Sequence, residues 1–161
     1  FDKYSDDFFR KIKLKYIVLC SELEIAGIPA LGFANPEMKT LILNINSNSS
    51  NFKRVLHHEV FHIIEHNFSK YFSNISWSDL NPKEFKYAEC STCTDKLGLD
   101  TYDNTKGFFS EYSKSTSSED MAEVFSHIMI GADLKNVDPI LHKKINFIRK
   151  NLLKIDPKFA L

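Results

Sequence analysis

The sequence predicts an α+β domain with a small mixed sheet towards the N-terminus and a mostly helical C-terminal half. Three observations carry this reading. Apolar residues recur at helical spacing over several long stretches, two β-prone segments flank a turn between residues 28 and 45, and long strand series are absent from the second half. With 161 residues, 43% apolar content and 14 Phe, the chain has enough material for one core, so a single domain over residues 1–161 is expected.

From Ser5 to about Ala26, Phe8, Phe9, Ile12, Tyr16, Leu19, Cys20 and Leu23 fall on one helical face, and Gly27 and Pro29 supply a stop, which predicts a first helix. Ile28 to Phe33 and Thr40 to Ile45 read as a hairpin, with the 39–46 segment as the exposed sheet edge. A second helix is expected from Asn51 to about Phe68, on a stripe of Phe52, Val55, Leu56, Val60, Ile63 and Ile64. Between Ser69 and Ser118 the periodicity breaks down, which predicts irregular segments with short helices, and connections of this length usually carry function. A third long helix starts at Ser117 or Ser118, whose hydroxyls suit a cap, and runs to about Ile130. Asp138 and Pro139 open a last amphipathic helix carrying Leu141, Ile145, Ile148 and Leu152.

Twenty-one basic side chains offset twenty-one acidic ones with no basic block, so the long-range field that nucleic acid or an anionic membrane needs is missing. No apolar run approaches the roughly 20 residues of a bilayer span. Phe1 reads as a cut end, which makes a secreted or cell-surface protein the expectation, and a monomer acting on peptide or protein substrates fits the rest. Cys20, Cys90 and Cys93 are too few and odd in number for a disulfide framework. Cys90 and Cys93 form a lone CxxC, read as a disulfide or two ordinary thiols because no second CxxC completes a zinc knuckle. Trp77, Phe108 and Phe109 are read as core.

His58, Glu59, Val60, Phe61 and His62 spell HExxH on the second predicted helix. The four-residue step places both imidazoles on one face, where they can ligate zinc, and Glu59 beside them can take a proton from water. The motif also arises by chance. Flanking apolar residues would bury this helix, however, and buried polar groups without partners cost about 1–3 kcal/mol each, which a ligand role relieves. A third ligand is needed. The extended HExxHxxGxxH pattern fails, since Glu65 and Phe68 stand where Gly and His are required. Glu119 and Glu123, one turn apart on the third long helix, offer one ligand and one supporting group. His62, Glu65 and His66 also spell the inverted HxxEH motif, a competing register, although His66 is more simply a surface or supporting residue and His57 is expected to face solvent.

Two blocks, HHEVFHIIEH (57–66) and EYSKSTSSEDMAEVF (111–125), resemble the gluzincin metallopeptidases, and among them the anthrax lethal factor catalytic domain and the secreted Pro-Pro endopeptidases. The family pattern of a Tyr, a zinc-binding Glu seven residues later, then Ala-Glu and an aromatic is met by Tyr112, Glu119, Ala122, Glu123 and Phe125. The resemblance implies a zincin-like domain with an HExxH active-site helix. It implies His58, His62 and Glu119 as Zn2+ ligands, Glu59 as general base, Tyr112 as oxyanion stabiliser and Glu123 as a partner of a zinc-bound His. The activity implied is that of a zinc-dependent endopeptidase hydrolysing peptide bonds by a zinc-activated water; the rival class is a non-catalytic zincin-like binding module of a larger toxin or surface protein. Residues 69 to 110 have no counterpart in the family, so substrate preference does not carry over.

Overall fold

A computed structural model describes residues 3–46, 48–88, 90–93 and 105–159, apart from the side chains of residues 49, 50 and 93. Helix α1 (Asp6–Lys11) is capped by Ser5, whose hydroxyl accepts from the Phe8 N–H, and it ends at Lys13, which turns the chain at φ 61°. The helix expected as far as Ala26 therefore stops a turn and a half in. Tyr16–Cys20 is strand β1 instead. An unbroken apolar run satisfies helical and strand periods alike, and the aromatic and β-branched residues at 16–18 favour the strand. Gly27 does not end a helix. With Ala26 it makes the two-residue turn, both at positive φ, between β2 (Glu24–Ile25) and β3 (Ile28–Pro29).

The expected hairpin forms, but between β4 (Gly32–Asn35) and β5 (Thr40–Asn44), with Phe33 opposite Ile42, while Ile28–Pro29, expected in its first strand, pairs with β2 instead. The 39–46 segment is the centre of the sheet rather than its edge: the order is β1-β5-β4, with β5 parallel to β1 and antiparallel to β4. The reason is β1 itself, which occupies the side of β5 that the helical reading had left open. The edge beside the site described below is β4.

Helix α2 (Ser49–Asn67), capped by the Asn48 side chain, lies against β4 and β5 on one side and against the later helix Ser117–Ile130 on the other. Val60, Phe61, Ile63 and Ile64 are fully buried there. The long connection contains α3 (Asn74–Ser78) and 3-10 turns at Ser91–Cys93 and Glu111–Lys114. Helix α4 (Ser117–Ile130) is capped by Thr116, one residue before the serines expected to do so, and closes at Gly131 in the left-handed conformation. Helix α5 (Pro139–Ile155) starts as read, with the Asp138 carboxylate accepting from the N–H groups of Ile140 and Leu141. Trp77, Phe108 and Phe109 are buried, the core placement expected of them. Cys90 is disulfide-bonded and Cys20 is free. The result is an α+β architecture with a small mixed sheet and a helical C-terminal half.

Candidate metal centre

Helices α2 and α4 pack side by side, and their facing sides bring the predicted site residues together. His58 and His62, one turn apart on α2, have ring centroids 4.9 Å apart and Nε2 atoms 3.1 Å apart. Glu119, in the first turn of α4, places Oε2 2.9 Å from His58 Nε2 and 3.5 Å from His62 Nε2. The ligand atoms of the three residues lie within 4.8 Å of one another.

Behind each imidazole stands a carboxylate. His58 Nδ1 donates to Glu123 Oε1 at 2.9 Å, and His62 Nδ1 lies 3.7 Å from Glu65 Oε2 and 3.3 Å from Ser118 Oγ. Those partners fix the proton on Nδ1 and turn the Nε2 lone pair of each ring inward. The two Nε2 atoms and a Glu119 carboxylate oxygen thus converge on one point. A tetrahedral zinc with bonds of about 2.0–2.1 Å sets its ligands about 3.3–3.4 Å apart. The observed 2.9–3.5 Å spacings bracket that edge, and the two His and one Glu donor set suits zinc with a position left open.

The electrostatics carry the same message. Burial opposes charge on His58, but the Glu119 and Glu123 carboxylates outweigh it and lift the imidazole to about 9. Burial likewise opposes charge on Glu119, and the His62 and His58 imidazoles outweigh that, holding the carboxyl well below its ordinary value. The cluster stabilises a positive charge at its centre.

Glu59 is buried beside the pair, and burial raises its carboxyl above the ordinary carboxylate value against the pull of both imidazoles. It reaches the edge strand, where a backbone hydrogen bond from Ala34 holds it. The approach is possible because residue 32 is glycine: a Cβ there would stand 2.7 Å from Glu59 Cγ and 2.7 Å from Val55 Cγ1. Tyr112, on the 3-10 turn before α4, has its ring centroid 6.2 Å from that of His58 and its hydroxyl hydrogen-bonded to Glu119. Burial and then the Glu119 charge raise the phenol well above its ordinary value, so it stays a donor. His58, Glu59, His62, Tyr112, Glu119 and Glu123 all line one cleft of ≈ 1010 Å³, walled on the other side by residues 28–34.

The inverted motif does not assemble. His66 is half exposed and faces Glu37 at 3.7 Å, while Glu65 accepts from the Ser118 hydroxyl. His57 is buried rather than solvent-facing, with its Nδ1 2.6 Å from the Tyr4 hydroxyl, because the N-terminal segment crosses that side of α2. Three supporting residues were not read from the sequence. Arg54 Nη1 donates to Glu123 Oε1, Ser110 Oγ donates to Glu123 Oε2 at 3.0 Å, and Ser118 bridges His62 and Glu65. Arg54 carried a signal, lying four residues before His58 on the same helical face. Ser110 carried none, since a loop hydroxyl has no period.

Residues 2–158 match the model of a family described as "putative zinc-binding metallo-peptidase". No curated protein and no solved structure matches the chain. With nearly its whole length matched, and with two histidines and a glutamate grouped as a zinc ion needs them, the chain belongs to that zinc-binding metallopeptidase family.

Proposed function

We propose that this chain is a zinc-dependent endopeptidase of the gluzincin type, organised as one zincin-like catalytic domain. His58, His62 and Glu119 would hold the metal, and the convergence of their ligand atoms within 4.8 Å beside Glu59 and Tyr112 is the observation that carries the reading. The blocks at 57–66 and 111–125 support it by their resemblance to the lethal factor and Pro-Pro endopeptidase group. The zinc, when bound, supplies Lewis-acid polarisation of the scissile carbonyl and of the attacking water.

Glu59 has the position and environment of a general base. Its raised carboxyl brings it nearer the operating pH, where a base is most effective, so its carboxylate oxygen takes the proton of the attacking water and passes it to the leaving amine nitrogen. Tyr112 rests on Glu119 and donates to the oxyanion as charge develops there, an interaction present only in the transition state. Tyr112→Phe should lower kcat about 100- to 1000-fold, by analogy with other oxyanion donors, while zinc content stays at one per chain. Glu123 keeps the His58 ring oriented through Nδ1. An extended peptide would pair its main chain with the β4 edge above Glu59. The disulfide at Cys90 supports a secreted or cell-surface setting.

The test compares the zinc-loaded wild type with Glu59→Gln on a peptide library read by mass spectrometry. Cleavage by the wild type, lost in a variant that keeps its zinc, is the expected result. A wild type that binds zinc in the His58/His62/Glu119 site and cleaves nothing would make the domain a binding module.

A further inference from the structure

We propose that Arg54 reads a carboxylate on the substrate, so that favoured peptides carry an acidic side chain or a free C-terminal carboxylate within a residue or two of the scissile bond. The inference rests on the peptidase reading above and adds a substrate class to it. Arg54 lies one turn before His58 on α2 and lines the same cleft as His58, Glu59 and Tyr112. Among the described residues lining that cleft it is the sole Lys or Arg. The opposite wall is apolar, with Ile28, Leu31 and Phe33 exposed at 42%, 39% and 36%, so the guanidinium is the feature of the cleft that can select for a negative charge.

Its contacts leave it available. Nη1 donates to Glu123 Oε1, yet a guanidinium carries five N–H donors, and the side chain is 20% exposed. Glu123 fixes the planar group in place, which lowers the entropy lost when a second carboxylate docks on the free edge. Nor does Glu123 depend on Arg54 alone, since His58 Nδ1 and Ser110 Oγ also donate to it. The cleft floor is polarised as well. It runs along α2 from Arg54 to Glu65, 11 residues or about 16 Å of helix, with its cation at one end and a carboxylate at the other. Because Arg54 and His58 share Glu123, the guanidinium stands next to the metal-holding ring, close enough to meet a residue adjoining the cleaved bond.

The experiment uses the zinc-loaded protein and matched peptide pairs taken from sequences it cleaves. In one arm Asp or Glu is exchanged for Asn or Gln at each position flanking the bond; in the other a free C-terminus is exchanged for its amide. The wild type should favour the carboxylate member of one arm by about 10- to 100-fold in kcat/KM, mostly through KM, and the arm that responds names the source. Arg54→Gln should abolish the preference, whereas Ser110→Ala, which loosens Glu123 but leaves Arg54 in place, should slow both members and keep their ratio. Equal slowing of both members by Arg54→Gln, or no preference in the wild type, would reduce Arg54 to a support for Glu123. Binding of the same pairs to Glu59→Gln, followed by fluorescence anisotropy, gives a readout independent of turnover. Carboxylate-selective binding by Glu59→Gln, with no peptide cleaved by the zinc-loaded wild type, would sink the peptidase reading and keep the one for Arg54; cleavage by the wild type without selectivity would do the reverse.

Discussion

Glu119 and Asp120 are neighbours in the first turn of α4, and they sit in opposite kinds of polar cluster. Asp120 is fully buried, and its Oδ2 accepts from Trp77 Nε1 at 2.8 Å, the Tyr87 hydroxyl at 2.6 Å and Lys144 Nζ at 2.6 Å. Lys144 is itself fully buried, donating also to the Gly107 carbonyl at 2.7 Å with its Nζ 3.8 Å from the Phe108 ring centroid. Glu119, about 100° around the helix, faces the Nε2 atoms of two imidazoles, the Tyr112 hydroxyl and an open cleft. The first cluster answers its buried charge with the chain's own donors on Oδ2, while the buried Oδ1 has no hydrogen-bond partner among the described residues. The second gathers two imidazole nitrogens and a carboxylate oxygen as a metal ion needs them, and it opens onto the cleft. The two clusters differ in that opening and in the ligand atoms gathered at it, more than in burial.

Breaking the closed cluster should have the largest effect on folding. Burial raises the Asp120 carboxyl and lowers the Lys144 ammonium, so each charge persists only because the other answers it. Lys144→Met leaves a buried carboxylate with two neutral donors, and removal of one partner of such a pair typically costs about 3–5 kcal/mol. Urea unfolding of the metal-free protein should show that loss, while the surviving folded protein binds zinc with wild-type affinity. A large fall in zinc affinity would mean that the two clusters on α4 are not independent.

Weakening the open cluster from behind should reverse the pattern. Glu123→Gln keeps an acceptor for Arg54 and Ser110 but takes the charge from behind His58 Nδ1. Zinc affinity should fall by about 10- to 100-fold, measured by competition with a chelator, because a partner that fixes the tautomer and raises the basicity of a ligand is worth that much. Stability of the metal-free protein should change far less than with Lys144→Met. Unchanged affinity would reduce Glu123 to packing.

The same contrast explains what was legible in the sequence. His58, Glu59 and His62 follow from a helical spacing, and Tyr112, Glu119 and Glu123 from a second short block, so the open cluster sits in two local patterns. The closed one is assembled from Trp77, Tyr87, Gly107, Asp120 and Lys144, brought together from five separate segments by tertiary packing, and no local period marks it. The fold divides in the same way. Helices α2, α4 and α5 show one apolar face each and were read to within a few residues. Tyr16–Cys20 was read as helix because its run of apolar residues fits either period, and what makes it a strand is pairing with Thr40–Asn44, more than 20 residues away. That one misreading also displaced the sheet edge.

The smallest effect should come from the strand that roofs the open cluster. Gly32 has no strained φ, so its role is space: a methyl group there meets Glu59 Cγ and Val55 Cγ1 at 2.7 Å. Gly32→Ala should cost about 1 kcal/mol, the lower end of overpacking, because the Glu59 side chain can swing aside. On the proposed mechanism the relief also displaces the carboxylate from the attacking water, so kcat should drop several-fold while zinc affinity holds, and Val55→Ala in the same chain should restore part of both by opening room on the other side. If Gly32→Ala keeps full turnover, β4 can move away from α2 without cost, and the close approach of strand and base is incidental. If it loses zinc as well, the roof and the ligands form one rigid unit, and the open cluster is as tightly built as the closed one.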